Sequence, residues 1–205
     1  MNATDADVRE AVREATAGPL DAAALRAGLA KRAAEEGVLD LAYCEIESPV
    51  GNLLAVATDA GLVQLGYPLQ PRDEMLESLA ERISPRLLEA PARLDPVRRE
   101  LDEYFAGRRR EFDLPLDWQL TGGFTRKVLR ETARIPFGET RSYMQMAASA
   151  GSPRAHRAAG SALGANPIPI VVPCHRVLRS GGGLGGYGGG LEVKRELLRL
   201  EGALE

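Results

Sequence analysis

Residues 142–177 read SYMQMAASAGSPRAHRAAGSALGANPIPIVVPCHRV. Ser142 followed three residues later by Gln145 is a capping-box pattern and opens a helix to about Ala150. Gly151 ends it. Ser152 then supplies an N-cap and Pro153 a proline at the first helical position, predicting a second helix over 153–165 that stops at Asn166-Pro167. Two short helices joined by a tight glycine-containing turn make a helix-turn-helix, an arrangement common among DNA readers and also among helix pairs that read nothing. The second helix is built from Ala, Gly and Ser, with Arg154, His156 and Arg157 as its main long polar groups. A major-groove reader presents several long hydrogen-bonding side chains, whereas small residues let a helix approach the narrow minor groove. Part of the alanine face must instead pack inside the protein.

In the segment that follows, Pro167, Pro169 and Pro173 exclude a helix, and Ile168, Ile170, Val171 and Val172 are apolar. A stiff, extended, buried segment is expected, delivering Cys174 to a fixed position. His175 is its neighbour, but successive side chains of an extended chain point to opposite sides. A turn at Pro173 or a bridging water is needed to link them. Beyond lies SGGGLGGYGGG, with eight glycines in the ten residues 181–190. Such a loop brings backbone amides close to a ligand; it lacks the GxxxxGK[ST] pattern of a phosphate loop. A flexible linker is the alternative, against which stand Tyr187 in its middle and a helix directly after it. That helix, LEVKRELLRLEG, is expected to turn Leu191, Leu197, Leu198 and Leu200 to a core and to carry Glu201 at its end, a carboxylate able to orient a histidine.

Upstream, LAYCEIE, NLLAVATD and LVQLGYP are short, partly alternating runs separated by turn signals at Pro49–Asn52 and Asp59–Gly61, and read as three antiparallel strands with Cys44 buried in the first. Helices follow at about 73–83 and 95–106, and another at 124–134. Residues 5–36 suggest two short helices, with Val8, Val12, Leu25 and Leu29 at helical spacing and Gly18-Pro19 as the break. The fold class is therefore α+β: a helical extension over 1–37, a small α/β domain with a short antiparallel sheet over 38–118, and a mostly helical domain with the helix-turn-helix over 119–205.

The net charge of −3 is split unevenly. Residues 1–120 carry 14 Lys and Arg against 23 Asp and Glu, and residues 121–205 carry 12 against 6. The basic half suits a polyanion, although charge alone fits a surface imbalance equally well. No apolar run approaches the roughly 20 residues of a membrane helix, so no membrane partner is expected. The start, MNATDADVRE, has no signal-peptide h-region, and a cytoplasmic chain is expected. The two cysteines, Cys44 and Cys174, and two histidines, His156 and His175, form no zinc spacing. No metal and no cofactor are expected, and a reducing compartment argues against a disulfide.

The run from residue 124 to 202, FTRKVLRETARIPFGETRSYMQMAASAGSPRAHRAAGSALGANPIPIVVPCHRVLRSGGGLGGYGGGLEVKRELLRLEG, resembles the O6-alkylguanine-DNA alkyltransferases without gaps. PCHRV preceded by NPxPxxxP is its most specific part; the α+β region resembles the family's N-terminal domain more weakly. The resemblance implies DNA repair by stoichiometric transfer of an alkyl group from O6-alkylguanine in double-stranded DNA, with O4-alkylthymine left open, by a monomer. It makes Cys174 the alkyl acceptor, His175 a base acting through a bound water, Glu201 the group that orients it, and Asn166 a brace for the turn. A Glu201–His175–water–Cys174 chain would raise the thiolate fraction. Tyr143 would assist base flipping and face guanine N3. Arg157 would enter the duplex, flanked by Arg154, Ala155, His156, Ala158 and Gly160. Tyr187, Gly188, Gly189, Pro169 and Val177 would line the base pocket. Gly188 replaces a serine of some relatives, Gly164-Ala165 a more basic pair, and the zinc ligands of some N-terminal domains have no match. Rival readings are a lesion-binding relative that accepts no alkyl group, which the presence of Cys174 disfavours, a helix-turn-helix regulator and a Cys-His hydrolase.

Overall fold

Strands β1 (Leu41–Ile46), β2 (Leu53–Thr58) and β3 (Gly61–Gly66) form the expected antiparallel meander, the order being β3-β2-β1. They belong to a computed structural model that describes residues 22–69 and 71–204. Side chains alternate between faces along a strand, and here both faces are covered. Leu54, Val56 and Val63 pack on Met75 and Leu79 of α2 (Arg72–Arg82), while Leu53, Ala55, Leu62 and Leu65 join the larger core. A fourth strand, β4 (Leu87–Glu89), pairs parallel to β1 and was not expected. Its three residues carry too little alternation to announce a strand, and its parallel pairing is set by α2 crossing over the sheet.

The helix α1 (Ala22–Glu35) falls in the expected N-terminal region, but Leu25 and Leu29 stay 60% and 57% exposed. It docks instead through Ala30 and Ala33 against Leu39, Ala42 and Ala90. The expected helix carrying Val8 and Val12, with its break at Gly18-Pro19, lies outside the described residues. A 3-10 turn at Pro91–Leu94 leads into α3 (Asp95–Phe105), whose buried face is Val97, Leu101 and Tyr104.

The chain then runs along β3. Leu62 donates its N–H to the Pro115 carbonyl at 2.8 Å, and Asp117 returns a bond to Leu62 at 2.9 Å. This close approach needs Gly61, at φ +136°, where a Cβ would lie 2.2 Å from the Pro115 oxygen. Next come α4 (Gly123–Thr132), the short β5 (Arg141–Ser142), α5 (Tyr143–Ser149) and α6 (His156–Gly164). The capping box is present: the Ser142 hydroxyl accepts from the Gln145 N–H, and the Gln145 side chain accepts from the Ser142 N–H. The start of α6 corrects the sequence reading. Residues 152–155 form a turn closed by the Ala155 N–H on the Ser152 carbonyl, so Ser152 and Pro153 lie in the connection and α6 begins at His156. Burial of Ala159, Ala162 and Leu163 fixes which face of α6 meets α4 and α5 and leaves His156, Arg157 and Ala158 exposed.

After α6 the chain forms a 3-10 turn at Cys174–Arg176, β6 (Val177–Leu178), which pairs parallel to β5, and α7 (Leu191–Leu200). Leu197 and Leu198 are buried and Leu200 packs on the core, but Leu191, at the first turn of α7, is 43% exposed. One continuous apolar cluster joins Leu53, Leu62 and Leu101 to Val128, Ile168 and Leu197, so the sheet supports the segment that carries Cys174.

Candidate active site

Residues 168–177 are buried, as their composition requires, with Asn166 and Pro167 half-buried before them, but the segment is not extended. The Val172 N–H reaches the Ile168 carbonyl at 2.8 Å, Cys174 N–H reaches Val172 O at 2.8 Å, and Arg176 N–H reaches Pro173 O at 3.0 Å. Prolines exclude a regular helix without excluding a chain of turns. Ile170 sits at φ 71°, a left-handed conformation that is costly for a β-branched side chain. Asn166 ties this winding together. Its Nδ2 donates to the Val172 carbonyl at 2.8 Å and to Cys174 Sγ at 3.2 Å, and its Oδ1 accepts from Ile168 N–H at 3.1 Å. Pro167 accepts the Leu65 N–H at 2.8 Å, which anchors the segment to β3.

Cys174, 8% exposed, opens onto a cleft of about 660 Å³ lined by Tyr143, His156, Arg157, Gly160, Leu163, Gly164, Arg179 and residues 185–188. The expected residues Tyr143, His156, Arg157, Gly160, Cys174, Tyr187 and Gly188 therefore meet at one cleft. Gly189, Pro169 and Val177 are buried and do not line it. Arg154 and Ala155 precede α6 and border a shallow surface depression with Ser152 and Pro153. Tyr143 stacks close to the backbone of Gly160 and of Gly185, where a Cβ would lie 2.4 Å from the tyrosine oxygen.

Behind the cysteine, His175 Nε2 meets Glu201 Oε1 at 2.8 Å with both side chains buried. Glu201 also accepts from Tyr104 Oη at 2.6 Å and from Arg176 Nε and Nη2 at 2.8 and 2.9 Å. Burial opposes its ionisation, yet the hydrogen bonds and charges of His175 and Arg176 outweigh burial and lower the carboxyl to about 2. An ionised Glu201 takes the proton-bearing Nε2 as donor, so Nδ1 keeps a lone pair. Nδ1 is buried and has no hydrogen-bond partner among the described residues. Burial lowers the pKa of His175 against the pull of Glu201, and the ring is neutral at neutral pH.

The thiol corrects one expectation. Burial pushes the Cys174 pKa up, although the Asn166 hydrogen bond and the Lys194 charge act to lower it. Burial thus favours the uncharged form of both Cys174 and His175, against the thiolate enrichment expected from the sequence. Lys194 is fully buried on α7 and donates from Nζ to the carbonyls of Val177 and Leu184. Burial lowers it to about 8.

The sequence reading missed Tyr104, Arg176, Lys194, Arg179 and Tyr67. Arg176 and Lys194 each had a signal, being charged residues within apolar patterns. Tyr67 and Tyr104 had none, since each reaches the site only through the tertiary fold.

A family model described as 6-O-methylguanine DNA methyltransferase, DNA binding domain, matches residues 123–203, and one described as 6-O-methylguanine DNA methyltransferase, ribonuclease-like domain, matches residues 41–118. A methylated-DNA–protein-cysteine methyltransferase of Mycolicibacterium paratuberculosis is 43% identical over 160 residues, covering 78% of this chain and 91% of its own length. The inducible protein of that name from Bacillus subtilis is 40% identical over 73% of this chain and 84% of its own. Among solved structures, Mycobacterium tuberculosis OGT in complex with DNA superposes with a TM-score of 0.69 at 40% identity, covering 79% of this chain and 93% of that one. With two consecutive domain matches and relatives this similar across most of its length, the chain belongs to the 6-O-methylguanine-DNA methyltransferase family.

Proposed function

We propose that the protein repairs DNA by moving the alkyl group of an O6-alkylguanine onto Cys174, once per molecule and without a cofactor. The observation that carries this reading is Cys174 Sγ at the cleft, with the buried His175–Glu201 pair behind it. His175 Nδ1 takes the thiol proton through a water. The sulfur then bonds to the saturated alkyl carbon as the carbon–O6 bond breaks, and the electron pair leaves with guanine. Tyr143 donates a proton near N3, and backbone N–H groups around Gly188 stabilise the charge developing on the base.

The alkyl carbon is out of reach within a stacked duplex, so the nucleotide must rotate by ~180° into the cleft. The exposed face of α6 enters the minor groove, Arg157 fills the vacated stack, and Arg154, Ala155, His156, Ala158 and Gly160 lie along the DNA. Pro169, Val177 and Gly189 support the pocket from beneath. Residues 38–118 and 119–205 act as two domains, the first bracing the second, with 1–37 as an extension. The protein acts as a monomer in the cytoplasm.

Intact mass spectrometry after mixing with a duplex containing O6-methylguanine tests the reading. One methyl gained, mapped to Cys174, is expected. Cys174→Ser should gain none while still retarding the duplex in a gel. Hydrolysis of small esters without a mass gain would point to a Cys-His hydrolase instead.

A further inference from the structure

The wall of the cleft is made by a loop that has almost no side chains with which to hold itself. Between residues 181 and 190 only Leu184 and Tyr187 are not glycine, and glycine loses more backbone freedom on ordering than any other residue. The Tyr187 hydroxyl nevertheless has a fixed partner. It lies 2.6 Å from the hydroxyl of Tyr67, with the two rings 5.7 Å apart at 65°. Tyr67 is buried and follows directly on β3, the strand already tied to the cysteine segment by the Leu65–Pro167 bond. The Tyr67 ring also lies flush against Gly189: a Cβ there would fall 2.9–3.0 Å from three of its ring atoms. On its other side, Tyr187 meets the His175 ring edge-on at 6.3 Å.

We propose that Tyr67 is a positioning residue for the base pocket, holding the Tyr187 wall at a set distance from Cys174 through the hydroxyl pair and the contact with Gly189. This rests on the alkyl-transfer reading above. Tyr67 does not line the cleft and acts through Tyr187. Burial pushes both hydroxyls above their ordinary range, so both keep their protons and the pair remains a hydrogen bond at any working pH. The N-terminal domain thereby sets how tightly a flipped or free base is gripped.

The test compares wild type, Tyr67→Phe, Tyr187→Phe and the double variant. Each is titrated with free O6-benzylguanine, and benzyl transfer to Cys174 is followed by intact mass. Tyr67→Phe keeps the ring against Gly189 and removes only the hydroxyl bond. Its half-saturating concentration should rise by ~3–10-fold with a smaller change in the limiting rate, the size expected for one buried hydrogen bond. Tyr187→Phe breaks the same bond from the other side, and the double variant should be no worse than the worse single one. Alkylation of Cys174 by iodoacetamide, which needs no recognition of a base, should be unchanged in Tyr67→Phe. If wild type gains no benzyl group, the alkyl-transfer reading falls and this one with it. If wild type reacts but Tyr67→Phe matches it within about twofold, or the two single effects simply add, or iodoacetamide reactivity falls in parallel, the role of Tyr67 alone is overturned.

Discussion

Glu201 gathers four hydrogen bonds, from His175, Tyr104 and both ends of the Arg176 fork. Its carboxyl titrates near 4.5 when unfolded and near 2 when folded. A carboxyl depressed in this way contributes stability above its unfolded pKa and loses it as pH falls through the folded one. Wild type should therefore shed thermal stability between about pH 4.5 and 2. Glu201→Gln should be less stable at neutral pH, because Arg176 is left buried and uncompensated. The difference in Tm between the two should shrink across that acid window, and a constant difference would count against the hub. Cys174 makes the opposite point about charge. With burial pushing its thiol above 9.0, iodoacetamide alkylation should still be rising at pH 9, and a plateau by pH 8 would mean that the thiolate is stabilised at rest.

At the scale of elements, α6 brings Arg157 to the cleft mouth while Ala159, Ala162 and Leu163 hold its other face in the core. Arg157→Ala should slow repair of duplex DNA about tenfold or more, the loss of roughly 1.4 kcal/mol in the transition state, and leave reaction with free O6-benzylguanine much less affected. A free base has no stack to fill, so equal losses would show that Arg157 supports the pocket instead. The helix-turn-helix was legible because its signals are local: a capping box, a glycine that ends the first helix, and the Asn166-Pro167 stop after the second. The start of α6 was not, because Ser152-Pro153 suits a turn as well as a helix N-terminus, and α4 and α5 decide between them. The prolines of residues 166–177 excluded a helix correctly, but they could not distinguish an extended run from the successive turns that Asn166 stitches together. Strand β4 is short and takes its place from α2 and β1, not from any pattern of its own.

At the scale of the whole molecule, the least legible part of the site is what the N-terminal domain lends it. Tyr104 bonds Glu201 across 97 residues and Tyr67 bonds Tyr187 across 120. Such contacts leave no periodicity and no motif; only the folded core that joins the two halves reveals them. That shared core also makes alkylation a global event. Cys174 is nearly buried, bonded by Asn166, and held in a winding with three prolines and a left-handed Ile170. An alkyl group on sulfur either projects into the cleft or presses on this segment, and rigid interiors accept added groups at a cost of about 1–3 kcal/mol. Under the proposed proton path the thioether also has no proton to pass through water toward His175, whose buried Nδ1 has no other hydrogen-bond partner among the described residues. Both effects act in one direction. In a chain of this length each kcal/mol lowers Tm by about 2–4 °C, so methylated protein should melt about 2–12 °C below the free form, and benzylated protein lower still. A thiolate leaves saturated carbon poorly, and no second thiol and no carboxylate lines the cleft among the described residues, so the thioether persists. Differential scanning fluorimetry on protein of confirmed mass checks this. An unchanged Tm, or more than one alkyl group removed per molecule, would contradict a site that acts once and is weakened by acting.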